Sequence, residues 1–321
     1  MRPRTLTILL IVALPLCAGW ALLQGSVALS PGEALDALLT ASDSAAATVV
    51  RELRLPRVLA ALAVGGLLAT AGVLLQVLLR NPLADPYVLG ISGGASTATL
   101  GAMFLGLAGW ALNAAAFLGA LGTMLLVFGL SRRGGHWTRE RLLLTGVVMA
   151  AGFGAAISVL LAIAPEGRLP GMLFFLLGDL SATPAPGLGM AVLLVGIVVA
   201  TAMARSLNVL MRGEQVAATL GEDPLRLRLA LYALASLLTA TAVTLAGSIG
   251  FIGLVVPHLL RLLGTTDHRW LLGQSALLGA TLLLVADTLA RTIVAPAQLP
   301  VGALTALLGV PVFLFLLARQ R

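Results

Sequence analysis

The sequence predicts an all-α membrane protein, a polytopic bundle of about ten transmembrane helices with short re-entrant or interfacial helices. Three observations predict it. Of the 321 residues, 59% are hydrophobic and 10% charged, with a mean hydropathy of +1.05, whereas soluble domains carry about 25% charged residues. The apolar residues gather in runs, most of them near the roughly 20 residues a helix needs to cross a hydrocarbon core about 30 Å thick. The cations between the runs alternate in density, as they do when every second loop lies in the cytosol.

Ten runs fall at 6–23, 58–79, 88–107, 111–130, 142–164, 188–204, 229–245, 252–263, 270–289 and 301–317. The first follows Arg2 and Arg4 as a signal peptide would, but it is long for one and lacks a small-x-small cleavage site, so a retained helix is expected. Its Cys17 is preceded by Leu16, where a lipoprotein site would carry a small residue. The second run is the one the chain is organised around. Its Gly65, Gly66 and Gly72 leave a bare stripe for close approach of another helix backbone. Arg80-Asn81-Pro82 stops it, Asp85-Pro86 stops the chain again, and Gly90 to Ser96 opens the third run. The fourth and fifth flank a turn holding Arg132, Arg133, Arg139 and Arg141. A short piece at 171–180, between Pro170 and Pro184, predicts an interfacial or re-entrant helix. The sixth run precedes the longest polar connection. The eighth, at 252–263, is too short to cross unaided and predicts a partly inserted helix shielded by its neighbours. The ninth carries Asp287 and Arg291 toward its outer end, spaced i, i+4 with the acid first, an orientation that pairs well on a helix. The tenth ends at Arg319 and Arg321.

Placing the N-terminus in the cytosol puts only Arg51, Arg54, Arg57, Arg168 and Arg291 outside, leaving fifteen of the 20 basic residues inside. That asymmetry predicts a multi-pass membrane protein with both termini cytosolic. All the basic residues are arginine, so the chain holds no P-loop lysine and any ATP hydrolysis must come from a separate chain. The net charge of +7 is scattered between apolar runs, which argues against nucleic acid as a partner. With one cysteine, no intrachain disulfide forms. His258 is separated in sequence from His136 and His268, so no metal site and no cofactor is expected. A faint echo links Leu79-Arg80, Asp85, Tyr87 and L89-G-I-S92 to Leu260-Arg261, Asp267, Trp270 and L272-G-Q-S275; an internal duplication and chance remain equal alternatives.

The loop at about 205–228 has a helical pattern of its own. Glu214 stands at its start, Val216, Ala217 and Leu220 share an apolar side, and Gly221 stops it; such a ridge predicts a cytosolic partner. In Gly247-Ser-Ile-Gly250-Phe-Ile-Gly253-Leu-Val-Val-Pro257-His258-Leu-Leu-Arg261, glycines three apart predict a bare face or unwound backbone, and Pro257 frees a carbonyl.

R54-L-P-R57, G72-x3-Q76, N81-P-L-A-D-P86, L89-G-x-S-G-G-A95, E214-x2-A217-x2-L220-G221 and the complete glycine motif ending in Arg261 resemble the FecCD-type permease subunits of ABC importers for iron-siderophores, haem and cobalamin. The resemblance covers about residues 5–318, and it implies one transmembrane permease domain over 1–321. It implies that Glu214, Val216, Ala217, Leu220 and Gly221 form a coupling helix for an ABC ATPase dimer. It implies that Arg54, Arg57 and Arg291 receive an extracytoplasmic binding protein, that Asn81, Pro82 and Leu83 form an inner gate, and that a second permease copy or paralogue completes the pore. Gly247, Gly250, Gly253, Pro257, His258 and Arg261 are its structural motif. The family usually carries tryptophan in the outer re-entrant segment where this chain has Phe174-Phe175. The alternative from residues alone is an ion-driven secondary transporter, for which only Asp287 approaches the carboxylate needed near the midplane. A membrane-embedded enzyme would need a polar catalytic cluster, and the sequence offers none.

Overall fold

The structure, a computed structural model, describes residues 2–25, 29–40, 44–131, 138–181 and 186–318. Arg132, Arg133, His136, Pro184, Arg319 and Arg321, which entered the expectations above, lie outside them. Among the described residues the chain is helical, with no strand. In chain order the helices are α1 (Pro3–Leu23), α2 (Pro31–Leu39), α3 (Ala45–Thr48), α4 (Leu55–Leu79), α5 (Ile91–Phe104), α6 (Trp110–Ser131), α7 (Arg139–Ala162), α8 (Leu169–Leu177), α9 (Pro186–Ala202), α10 (Ala204–Met211), α11 (Glu214–Thr219), α12 (Pro224–Ala246), α13 (Ile252–Leu262), α14 (His268–Ala290) and α15 (Val301–Ala318). A π-turn at Val49–Arg54 makes α3 and α4 one continuous rod.

Among the described residues six rods pass the length and apolarity needed to cross a membrane, and α9 with α10 makes a seventh if the 57° bend between them belongs to one span. The third apolar run is shorter than expected. Only Ile91–Phe104 is α-helical, because Pro86–Leu89 coils into a 3-10 turn closed by Gly90 at φ 73°. The eighth run is the 11-residue α13, about 16 Å at 1.5 Å per residue, too short to span as expected. The piece near 171–180 is helical as α8.

The bundle is built around α4. In its spanning window 89% of the residues are buried, against 11% for α7. Apolarity all round would suit lipid as well, and α1 is as apolar yet only 17% buried, so it is packing and not hydropathy that puts α4 at the centre. Two glycines allow its neighbours in: a Cβ on Gly72 would stand 1.9 Å from the Gly253 carbonyl oxygen of α13, and one on Gly65 would stand 2.3 Å from that of Gly279 on α14. No side chain fits either gap, so the glycines set the helix separation. The end of α4 is a Schellman turn in which Asn81 N donates to Gln76 O and Arg80 N to Val77 O, both at 3.1 Å.

Contacts fix which helix ends lie together. Gln274 of α14 donates to Pro3 O at 2.9 Å, and Arg291 just past α14 reaches Ala21 O, so α1 and α14 run parallel. Arg57 of α4 meets Asp287 of α14, which makes α4 antiparallel to both. One end of the bundle therefore gathers Arg54, Arg57, Asp287 and Arg291; the opposite end gathers Gln76, Arg261 and His268.

Candidate functional site

At the first end, the arginines do a job that their helices create. The last turn of a helix leaves carbonyls without partners and a partial negative charge, and a guanidinium answers both. Arg54 donates to Leu22 O at 2.6 Å and Leu23 O at 2.9 Å, and Arg291 to Ala21 O, so both cap α1. Arg51 caps α2 through Ala37 O at 2.5 Å and Thr40 O. Arg168 caps α5 through Met103 O at 3.3 Å and Phe104 O. Arg57 instead forks onto Asp287, with Nε–Oδ2 at 2.9 Å and Nη2–Oδ1 at 2.8 Å, while its Nη1 donates to Gln298 Oε1 at 2.8 Å.

The geometry adds to two of the expectations. Arg54, Arg57 and Arg291 come together, but as inward-turned groups and not a freely presented basic patch: Arg54 is 5% exposed and Arg291 8%. Charges carried to such depth need partners, and helix-end carbonyls and Asp287 supply them. The i, i+4 pair is also secondary, since Arg291 Nε stands 4.0 Å from Asp287 Oδ2 while Arg57 takes the carboxylate at hydrogen-bond distance.

Toward the opposite end, the two glycine-rich stretches interlock. Arg261 donates to Gln76 Oε1, and Gln76 Nε2 lies 3.4 Å from the carbonyls of both Ala84 and Gly253. One amide thus joins α4, the turn after it and α13. Ile249 N donates to the Tyr87 hydroxyl at 2.9 Å, tying that turn to the start of the glycine motif. Gly247, at φ 66°, lies where a Cβ would meet Phe175 O at 2.0 Å, and a Cβ on Gly253 would meet Pro86 Cδ at 2.6 Å. Gly250 has open space around it. His258 is 3% exposed and edge-on to Phe313 at 6.0 Å between centroids, a packing role. Among the described residues no cluster of His, Cys, Asp and Glu could hold a metal.

In the turn itself, Asn81 Oδ1 accepts from Leu83 N at 2.9 Å, so Asn81, Pro82 and Leu83 form an Asx-turn with Asn81 and Pro82 exposed. Asp85 accepts from Tyr87 N at 2.8 Å, and burial pushes its carboxyl up to about 6.

Helix α11 also departs from expectation in one respect. Gly221 at φ 84° closes it in a second Schellman turn, with Gly221 N donating to Ala218 O at 3.1 Å and Glu222 N to Ala217 O at 3.0 Å. Val216 and Leu220 face outward, 41% and 64% exposed, but Ala217 is fully buried. The apolar ridge is therefore split: Ala217 seats the helix on its own chain, and Val216 with Leu220 is the free part. Glu214 pairs with Arg228 of α12 at 3.3 Å.

A cavity of about 710 Å³ opens among α5, α6, α8 and α12, where Met103, Trp110, Asn113, Phe174 and Asp179 meet. Its volume is in the range of small-molecule sites, about 300–1,000 Å³. Asp179 is partly engaged there, accepting from Ser181 N at 2.8 Å. Gln298, Arg168, Arg51 and Asn208 carry contacts that sequence reasoning did not assign. Arg51 and Arg168 stood out in the sequence as outside arginines, but nothing near them signals a helix-end carbonyl.

A polytopic all-α bundle with an interlocked turn at one end and a split apolar ridge on a loop fits a membrane permease. The chain belongs to the FecCD transport family, whose profile it matches over residues 9–319. It is similar to the hemin transport system permease protein HmuU of Yersinia pestis, 45% identical over 278 residues, covering 84% of this chain and 83% of the relative. It is 38% identical to the vitamin B12 import system permease protein BtuC of Salmonella paratyphi A, covering 98% and 94%. A solved metal-chelate type ABC transporter in an inward-facing conformation superposes with a TM-score of 0.88 at 32% identity, over 98% of this chain and 99% of that one. The chain is thus the permease of an ABC importer, multi-pass in the membrane.

Proposed function

We propose that this permease carries a metal chelate inward across the cytoplasmic membrane, with haem the first candidate and cobalamin the second, in a transporter completed by two ATPase chains, a second permease copy or paralogue and an extracytoplasmic binding protein. Both termini and α11 lie in the cytosol in this reading, and the arginine-capped end faces out. The observation that carries it is α11: a short helix closed by Gly221 and seated by Ala217, with Val216 and Leu220 turned away from the chain. Exposed apolar groups on a loop outside the bundle fit insertion into a groove on another protein. The likeness to the haem and vitamin B12 permeases supports the substrate class. The cavity beside Trp110 and Phe174 has room for part of such a ligand.

Docking of the binding protein falls chiefly to Arg57. Its side chain is 10% exposed, and its Gln298 partner is on the exposed side, so an acidic residue can replace Gln298 without stripping Asp287. Arg54 and Arg291 act behind it by holding α1. Asn81, Pro82 and Leu83 serve as the inner gate.

Vesicles holding the permease test this, with and without ATPase chains and binding protein, using haem and cobalamin as probes. Uptake that requires ATP and all partners is expected. Uptake on an imposed proton or sodium gradient without ATPase would establish the secondary transporter instead.

A further inference from the structure

Asn208 lies on α10, next to the proposed coupling helix, and its amide is used at both ends on the start of α14. Its Oδ1 accepts from His268 N at 3.1 Å and stands 2.6 Å from His268 Nδ1, while its Nδ2 donates to Asp267 Oδ1 at 2.7 Å. Asp267 is itself the N-cap of α14, accepting from Arg269 N at 2.9 Å, and these two donors hold its carboxyl below the ordinary value. An amide oxygen can only accept, so His268 Nδ1 carries the proton. His268 Nε2 is buried without a hydrogen-bond partner among the described residues, and the ring is 4% exposed. Asn208 is therefore what orients it.

On its other side Asn208 belongs to a stiff unit. Ser206 donates to Glu222 at 2.7 Å across α11, Arg228 grips Glu214, and Leu207 and Leu210 of α10 are buried. Beyond Asn208, α14 lies backbone to backbone on α4 at Gly279 and Gly65. A displacement of α11 has a short route to the centre of the bundle, and one carboxamide is in it.

We propose that Asn208 is a positioning residue for energy coupling, which passes movement of the α10–α11 unit to the first turn of α14. This rests on the coupling role proposed above for α11. Coupling free energies between sites typically correspond to about 5–150-fold effects. In the assembled transporter, Asn208→Ala should raise the ATP hydrolysed per haem taken up by about fivefold or more, with hydrolysis by the ATPase chains retained. Asn208→Asp sets two carboxylates together and should do at least as much harm. Combining Asn208→Asp with Asp267→Asn rebuilds the same bridge with donor and acceptor exchanged, and should bring the ratio back toward the parent. A purely structural role predicts otherwise, with thermal stability and assembly falling while the ratio in the assembled fraction stays constant.

An unchanged ratio in Asn208→Ala, or an exchange that restores the unfolding temperature without restoring the ratio, overturns the proposal while the importer function stands. If Asn208→Ala does not assemble, the single and exchanged carboxylate variants decide by the same comparison. Parent uptake of haem and cobalamin that proceeds without ATP would overturn the importer reading, and this inference with it.

Discussion

At the scale of single residues, charge at depth is managed by caps and forks. Arg57, Asp287 and Arg291 form a cluster in which one acid serves two cations, at 2.8 and 4.0 Å. Removing the acid leaves the two guanidinium groups facing each other. Breaking such a buried pair costs about 3–5 kcal/mol, whereas replacing both partners by apolar groups costs much less. Asp287→Ala should therefore lower the unfolding temperature sharply, and Arg57→Leu with Asp287→Leu should recover part of the loss, because Arg291 loses its acid but keeps Ala21 O; a double variant no better than the single one would remove the ion-pair account. Asp85 gives a pH signature. Its carboxyl is pushed up to about 6 by burial, against about 3.9 unfolded. The native state then binds the proton more tightly, so stability falls as pH rises from about 4 through 6 and stays lower at neutral pH. Asp85→Asn keeps an acceptor for Tyr87 N and carries no charge. It should raise the unfolding temperature at pH 7.5 and flatten the profile between about pH 4 and 6. An unchanged profile would show that Asp85 is solvated in the native state.

At the scale of elements, small residues and turns decide how helices meet. Gly72 and Gly253 bring α4 and α13 so close that a side chain at 72 must push them apart, since its Cβ would lie 1.9 Å from a carbonyl oxygen. Overpacking of this kind costs about 1–3 kcal/mol or more. Gly72→Leu should lower thermal stability by at least that much and weaken the Gln76–Arg261 bridge one turn away, which a matching loss in Arg261→Ala alone, and none in the pair beyond Gly72→Leu, would reveal. In α11 the two apolar positions should separate. Leu220→Arg, at a 64% exposed site, should abolish co-purification of the ATPase and leave the permease's own unfolding temperature unchanged. Ala217→Arg, at a buried site, should lose both. If Leu220→Arg still binds the ATPase, α11 is not the docking element.

At the scale of the whole molecule, thiol labelling reads the orientation directly. In a Cys17→Ala background, a cysteine at Asn81 should react with membrane-impermeant thiol reagents only from the cytosolic side, and one at Gln298 only from outside; the reverse pattern would invert the topology. How much was legible beforehand follows from physics. Lipid offers no hydrogen bonds, so backbone groups must be satisfied within each segment, and long apolar runs can only be helices. The sequence by itself therefore determined the helical bundle, its long apolar rods and the stops at Asn81-Pro82 and Gly221, because these rest on local residues, but not how many of the ten runs are long enough as helices to span. It also marked Gly72, Gln76, Gly253 and Arg261, but not that they interlock. What only the tertiary structure decided was the direction in which polar groups turn. Arg54 finds Leu22, 32 residues back, and Arg57 finds Asp287, 230 residues on. The carbonyls at a helix end carry no side-chain signature, and folding alone brings them to an arginine.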